Sequence, residues 1–143
     1  MTTSNSAEAA YHILLVEDDA VDVKTVQRAF RENNISNSLS VATNGEEALE
    51  MLKDGRVNPQ RLLILLDINM PRMNGIEFLR HIRGDESLRH LSVVVLTTSN
   101  DDRDRIEAYR LNVAGYILKP VTFNRFVKAM AALNKYWTLV ELP

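Results

Sequence analysis

Leu62-Leu63-Ile64-Leu65-Leu66-Asp67-Ile68-Asn69-Met70-Pro71-Arg72-Met73-Asn74-Gly75 is the stretch from which the fold can be read. Five apolar residues run without a break into an acid, and a proline and a glycine soon end the regular structure. A strand with one wet face would alternate apolar and polar residues. A short, wholly apolar run bounded by turn residues reads instead as a strand buried on both faces, the mark of a parallel sheet covered by helices. An acid at the end of such a strand lies on the carboxyl edge of the sheet, where open α/β folds place their ligands. Asp67 is therefore a candidate reactive carboxylate, and the flanking chain should bring polar groups to the same edge.

Working outward, strand and helix alternate. His12-Ile13-Leu14-Leu15-Val16 reads as a first buried strand that runs into Glu17-Asp18-Asp19. Three acids in succession repel one another, so a positive group is expected beside them. Val23, Val26, Ala29 and Phe30 keep helical spacing and predict a helix from Ala20 to Phe30. Leu39 to Ala42 is a short second strand stopped by Asn44-Gly45, and Glu46 to Lys53 a second helix with Ala48, Leu49 and Leu52 inward. After the Asp67 strand, Ile76, Leu79 and Ile82 mark a third helix from Gly75 to Arg83.

Leu91 to Leu96 is the fourth strand and delivers Thr97, Thr98 and Ser99 to its carboxyl end. The fourth helix, Asp102 to Leu111, is mostly charged, with Ile106, Tyr109 and Leu111 as its expected anchors. So little apolar surface predicts weak attachment, useful in an element that must move. Gly115 to Leu118 is a fifth strand ending in Lys119-Pro120. Thr122 is the expected N-cap of a last helix bearing Phe123, Phe126, Val127, Met130, Leu133 and Trp137. The expected architecture is α/β: a doubly wound, five-stranded parallel sheet with five helices in three α/β/α layers.

The 143 residues leave room for one domain, expected over 11–137, after a small polar N-terminus at 1–10 and before an apolar tail at 138–143. Hydrophobic and charged fractions of 45% and 25% are ordinary for a soluble domain. No apolar run is long enough to cross a membrane, and no signal-peptide pattern opens the chain. The absence of cysteine excludes disulfides and thiolate chemistry and fits a cytoplasmic location. A net charge of -2 argues against a large nucleic-acid surface.

The expected sheet brings Glu17 and Asp18, Asp67, Thr97 and Lys119 to one rim. Carboxylates without histidine or cysteine suit a hard cation, and Mg2+ fits best because it accepts a few carboxylates, water and a phosphate oxygen. A carboxylate can take a phosphoryl group to form an acyl phosphate, a transfer governed by position and charge neutralisation. Asp67 would be the acceptor, Lys119 would pair with the phosphoryl charge and Thr97 would donate a hydrogen bond. Taken singly, these residues have ordinary readings: acids at a helix N-terminus, a strand cap, a surface lysine. Their convergence outweighs those. His12, His81 and His90 lie on different elements without metal spacing.

Four motifs in this order carry a resemblance: Leu15-Val16-Glu17-Asp18-Asp19, Asp67 to Gly75, Leu96-Thr97-Thr98, and Gly115-Tyr116-Ile117-Leu118-Lys119-Pro120. Over residues 11 to 136 the chain resembles the receiver domain of two-component response regulators. The resemblance implies a flavodoxin-like fold with strand order 2-1-3-4-5 and makes Asp67 the phosphoacceptor for a histidine kinase. It implies that Asp18, Asp67 and the Asn69 backbone carbonyl ligate Mg2+, with Glu17 acting mainly through water. It also makes Thr97 and Tyr116 a switch pair, and the Lys119-Pro120 bond cis. Thr98 departs from the smaller residue common at its position, and Asn69 and Ser99 occupy positions that tune the lifetime of the phosphate.

The ending, Asn134 to Pro143 with Trp137 and an apolar tail, is similar to that of stand-alone response regulators that partner bacterial and cyanobacterial phytochromes. A single-domain phosphorelay switch in light signalling is expected, acting through partners. It would pair as a homodimer through the fourth helix, fifth strand, fifth helix and tail. A degenerate receiver acting as a constitutive docking module would lack an acid or the lysine, and none is missing. A phosphohydrolase would need a second acid where Asn69 stands, and a flavin-binding relative a phosphate cradle where Glu17-Asp18-Asp19 stands.

Overall fold

The computed structural model describes residues 11–32, 37–70, 73–98, 101–118 and 128. Among these, β1 (His12–Val16), α1 (Ala20–Glu32), β2 (Leu39–Ala42), α2 (Gly45–Lys53), β3 (Leu62–Leu66), α3 (Gly75–Arg83), β4 (Ser92–Thr97), α4 (Asp102–Arg110) and β5 (Gly115–Leu118) follow one another in the chain. The strands form one sheet in the order β2-β1-β3-β4-β5, with every neighbouring pair parallel. This is the flavodoxin-like arrangement. The expected fifth helix and tail, Lys119 and Pro120 lie outside the described residues, apart from Lys128.

β3 occupies the centre, and its five residues are buried throughout. Its side chains alternate between two cores, as the strand period requires. Leu62, Ile64 and Leu66 join Leu14, Val16, Val93 and Val95 beneath α2 and α3, whereas Leu63 and Leu65 join Ile13, Leu15, Val94 and Leu96 beneath α1. Each fully buried Leu or Ile contributes roughly 1.5–3 kcal/mol of hydrophobic stabilisation. That explains why the central strand tolerates no polar residue before Asp67.

Boundaries shift where local hydrogen bonds differ from the periodicity. α1 runs two residues past Phe30, to Glu32, where Arg28 and Glu32 form a 2.9 Å ion pair across one turn. β4 starts at Ser92 rather than Leu91, whose N–H bonds back to the Leu88 carbonyl in the preceding turn. α4 ends at Arg110.

The larger correction concerns the anchors of α4. Ile106 and Tyr109 are 53% and 50% exposed, and the only residue buried within the helix is Ala108. Leu111, just past its end, is partly buried against the core. A methyl side chain lets the helix approach the sheet closely but buries little area, so the attachment is weaker than the sequence implied.

α3 is seated differently. Ile76, Phe78, Leu79 and Ile82 are buried. Asn74 caps its first turn by accepting from the Glu77 N–H while the Glu77 carboxylate accepts from the Asn74 N–H, a reciprocal capping box. At the other end Arg83 donates to four carbonyls: Leu111 and Leu91 at 2.7 Å, Arg89 at 2.9 Å and Asn112 at 3.2 Å. Burial lowers the pKa of its guanidinium from the ordinary value.

Candidate functional site

The rim is built from strand ends. β1 passes into Glu17, whose N–H donates to the Ala42 carbonyl at 2.9 Å, and β3 passes into Asp67, whose N–H donates to the Val16 carbonyl at 3.0 Å. The backbones bearing these two acids are thus held by the sheet ladder itself. Glu17 and Asp67 are buried and Asp18 is exposed, so the group has a dry base and one wet member. One carboxylate oxygen from each of the three lies within 4.8 Å of the others.

The third acid of the opening motif has another task. Asp19 Oδ1 accepts from the N–H groups of Val21 at 2.8 Å and Asp22 at 3.2 Å, capping α1. Glu17 Oε2 in turn accepts from the Asp19 N–H at 3.1 Å. The sequence Glu17-Asp18-Asp19 therefore divides into two members of the rim cluster and one helix cap.

Two ionised carboxylates 4.8 Å apart repel by about 3–4 kcal/mol at an effective dielectric near 20. Three in one place favour the binding of a cation. All the acidic donors are oxygen, which fits a hard divalent ion such as Mg2+ or Mn2+ and not a thiolate- or imidazole-seeking metal.

The loop after β3 folds tightly against the strand end. Asn69 donates its N–H to Asp67 Oδ1 at 3.2 Å, and the Ile68 carbonyl accepts from both Met70 and Gly75. Gly75 has to be glycine: a Cβ there would lie 2.6 Å from the Asp67 carbonyl oxygen and 2.7 Å from Ile68 Cα. The start of α3 thus presses on the backbone of the acid. Asn69 Nδ2 reaches Thr98 Oγ1 at 3.4 Å, spanning from this loop to the end of β4.

Thr97 closes β4 and is fully buried. It pairs with Leu118 in β5, and Tyr116 pairs with Val95. Tyr116 is half-buried, with its ring against α4. The structure thus gathers Glu17, Asp18 and Asp67 and puts Thr97 at the end of the neighbouring strand; Lys119, expected one residue after β5, lies outside the described residues.

Two features escape periodicity. One is Arg83, a last-turn base that reads only as a partner of the helix dipole. The other is a groove of about 470 Å³ between α3 and α4, floored by Ile68, Met70 and Ile76 and lined by Arg80 and Glu107, which pair at 3.3 Å.

The family model for the response regulator receiver domain matches residues 13–131. The chain belongs to the response regulator receiver domain family. It is 35% identical over 135 residues to the probable methanogenesis regulatory protein FilR2 of Methanothrix harundinacea, covering 92% of this chain and 86% of that one. It is 34% identical to response regulator Rcp1 of Synechocystis, covering 92% of both chains. The Mn2+-bound crystal structure of Rcp1 superposes with a TM-score of 0.79, over 93% of this chain and 99% of that one. The phosphorylated cyanobacterial phytochrome response regulator RcpA superposes with a TM-score of 0.82 at 30% identity, covering 94% and 99% of the two chains. This receiver is accordingly a signalling protein of the response-regulator class. Among its described residues no helix is long and apolar enough to cross a membrane.

Proposed function

We propose that this receiver accepts a phosphoryl group on Asp67 from the phosphohistidine of a sensor histidine kinase. The observation that carries the reading is the cluster of Glu17, Asp18 and Asp67 at the carboxyl edge of β1 and β3. A carboxylate oxygen of Asp67 attacks phosphorus, the phosphorus–nitrogen bond breaks, and the imidazole leaves with its electron pair and takes up a proton. Hydrolysis of the acyl phosphate by water later returns the carboxylate and releases phosphate. The receiver catalyses these two steps on itself and turns over no other substrate.

Asp18, Asp67 and the Asn69 carbonyl are the proposed ligands of Mg2+, with Glu17 acting through water. The bound ion supplies neutralisation of the charge that gathers on the phosphoryl oxygens. Thr97 donates its hydroxyl to the phosphoryl group, Lys119 pairs with its negative charge, and the Tyr116 ring turns inward as Thr97 moves. Burial of Asp67 and the ladder bond to its N–H keep the nucleophile from wandering.

Phytochromes are the proposed source of the signal. Rcp1 and RcpA are response regulators of this length, and RcpA is a phytochrome response regulator. The domain of 11–137 would work in the cytoplasm and pair as a homodimer through α4, β5, the last helix and the tail of 138–143. Exposed Ile106, Tyr109 and Leu118 support that surface.

Intact mass with and without acetyl phosphate and Mg2+, on the wild type and Asp67→Asn, tests the reading. One phosphoryl adduct that needs the metal and disappears in Asp67→Asn is expected. A wild type that gains none from acetyl phosphate or from a phosphorylated phytochrome kinase would overturn it. Size-exclusion of the same samples tests the dimer.

A further inference from the structure

Tyr116, partly buried against the core that lies beneath α2 and α3, also meets α4. The guanidinium carbon of Arg105 lies 5.3 Å from its ring centroid, and the Tyr109 ring lies 6.4 Å away at an interplanar angle of 31°. Both distances fall within the range where a cation over a ring, or a tilted ring pair, is attractive. Arg105 and Tyr109 are four residues apart on α4 and so share one face of that helix. A single strand residue is held by two residues of one helix.

Within its nine residues that helix buries little; the Arg80–Glu107 pair ties it to α3, and Arg83 holds the carbonyls of Leu111 and Asn112 past its end. Ala108 is its only buried residue, and Ile106 on the next position points to solvent. The contacts to Tyr116 are therefore a large share of what ties α4 to β5. Turning the ring away breaks the Arg105 and Tyr109 contacts together, and moving the helix has the same effect. Ring and helix are two ends of one latch.

We propose that Arg105 is a positioning residue that holds the Tyr116 ring against α4 in the unphosphorylated receiver and sets how often the ring turns without phosphorylation. This rests on reading Tyr116 as the ring that responds to phosphorylation of Asp67. A cation–π contact at a half-exposed site shifts a two-state population by about 2- to 5-fold. Loss of the cation raises the turned population by that factor before any phosphoryl group arrives, and the same factor appears as faster phosphorylation by a small donor.

The test is NMR of full-length protein carrying 13C-labelled tyrosine, with the Tyr116 ring signal assigned through Tyr116→Phe. Spectra are taken with and without acetyl phosphate and Mg2+, with intact mass reporting phosphorylation. In the wild type the signal moves on phosphorylation. In unphosphorylated Arg105→Gln it already sits part-way along that path, and Arg105→Lys, which keeps the cation, stays near the wild-type position. An Arg105→Gln signal identical to the wild type overturns the latch and leaves the switch reading intact, as does an equal displacement in Gln and Lys variants. A wild-type signal that ignores a phosphoryl adduct confirmed by mass overturns both.

Discussion

α3 and α4 are each nine residues long, and each follows a strand that ends at the reactive rim. α3 buries Ile76, Phe78, Leu79 and Ile82, closes its first turn with a capping box and ends in the Arg83 clasp. α4 buries Ala108, and its cap, Asp101, is an exposed carboxylate that accepts from Arg103. The two helices are joined across the groove by the partly exposed Arg80–Glu107 pair. A receiver needs both kinds of attachment. The acid must stay in place during transfer, so the helix beside it is fixed; the signal must leave, so the next helix is loosely held. Stability is distributed unevenly because the two tasks make opposite demands.

The widest gap should appear in the core. Phe78→Ala is expected to cost about 3–5 kcal/mol, whereas Ile106→Ala on α4 should change stability by no more than about 0.5 kcal/mol. Denaturant unfolding of both variants measures the contrast, and equal losses would remove it.

A smaller effect is expected from one added methyl. α4 meets the sheet through Ala108 and already carries a Cβ there, but α3 begins at a glycine with no room for one. Gly75→Ala should cost about 1–3 kcal/mol by overpacking. It should also lower the yield of the Asp67 adduct, because the Asp67 carbonyl and Ile68 Cα have to move. Unfolding and intact mass read the two consequences separately.

The smallest effect separates the caps. The side-chain hydrogen bond from Arg103, helped by the Arg103 N–H, holds the Asp101 carboxyl below its ordinary 3.8. A pKa depressed on folding means the contribution is complete above that ordinary value and is lost as pH falls through the lower folded value. The Asn74 amide that caps α3 does not titrate. Hydrogen exchange below about pH 3.8 should show the first turn of α4 losing protection as the pH falls, and Asp101→Asn should abolish that loss.

Much of this was legible in the sequence. The unbroken apolar run of β3 gave the two-sided sheet, and the acid ending it gave the rim, because burial on both faces leaves a composition no exposed strand would have. Glu17, Asp18 and Asp67 could be placed together because parallel strands put their ends on one edge. The division of labour between Asp18 and Asp19 could not be read, since both are acids before a helix and only the amide geometry separates them. Nor could the seat of α4. In a helix of mostly charged residues the largest apolar side chains are the natural anchors by area, but the small Ala108 is the residue buried and Ile106 faces outward. Arg83 was hidden for a related reason: its partners are carbonyls, which carry no sequence signal.

The Arg83 clasp has a mechanical consequence. Leu91 precedes β4, and Leu111 and Asn112 precede β5, so the arginine pins α4 at its C-terminal end, on the side of the sheet away from the acids. A rod fixed at one end answers a push at the other by tilting. With about 1.5 Å of rise per residue, α4 is roughly 13 Å long, so a displacement of about 2 Å near Asp101 becomes a rotation of roughly 9°. What a partner meets on the outer face is then an angle, with its fulcrum near Arg83 and its largest travel at the end of the helix nearer the acidic rim.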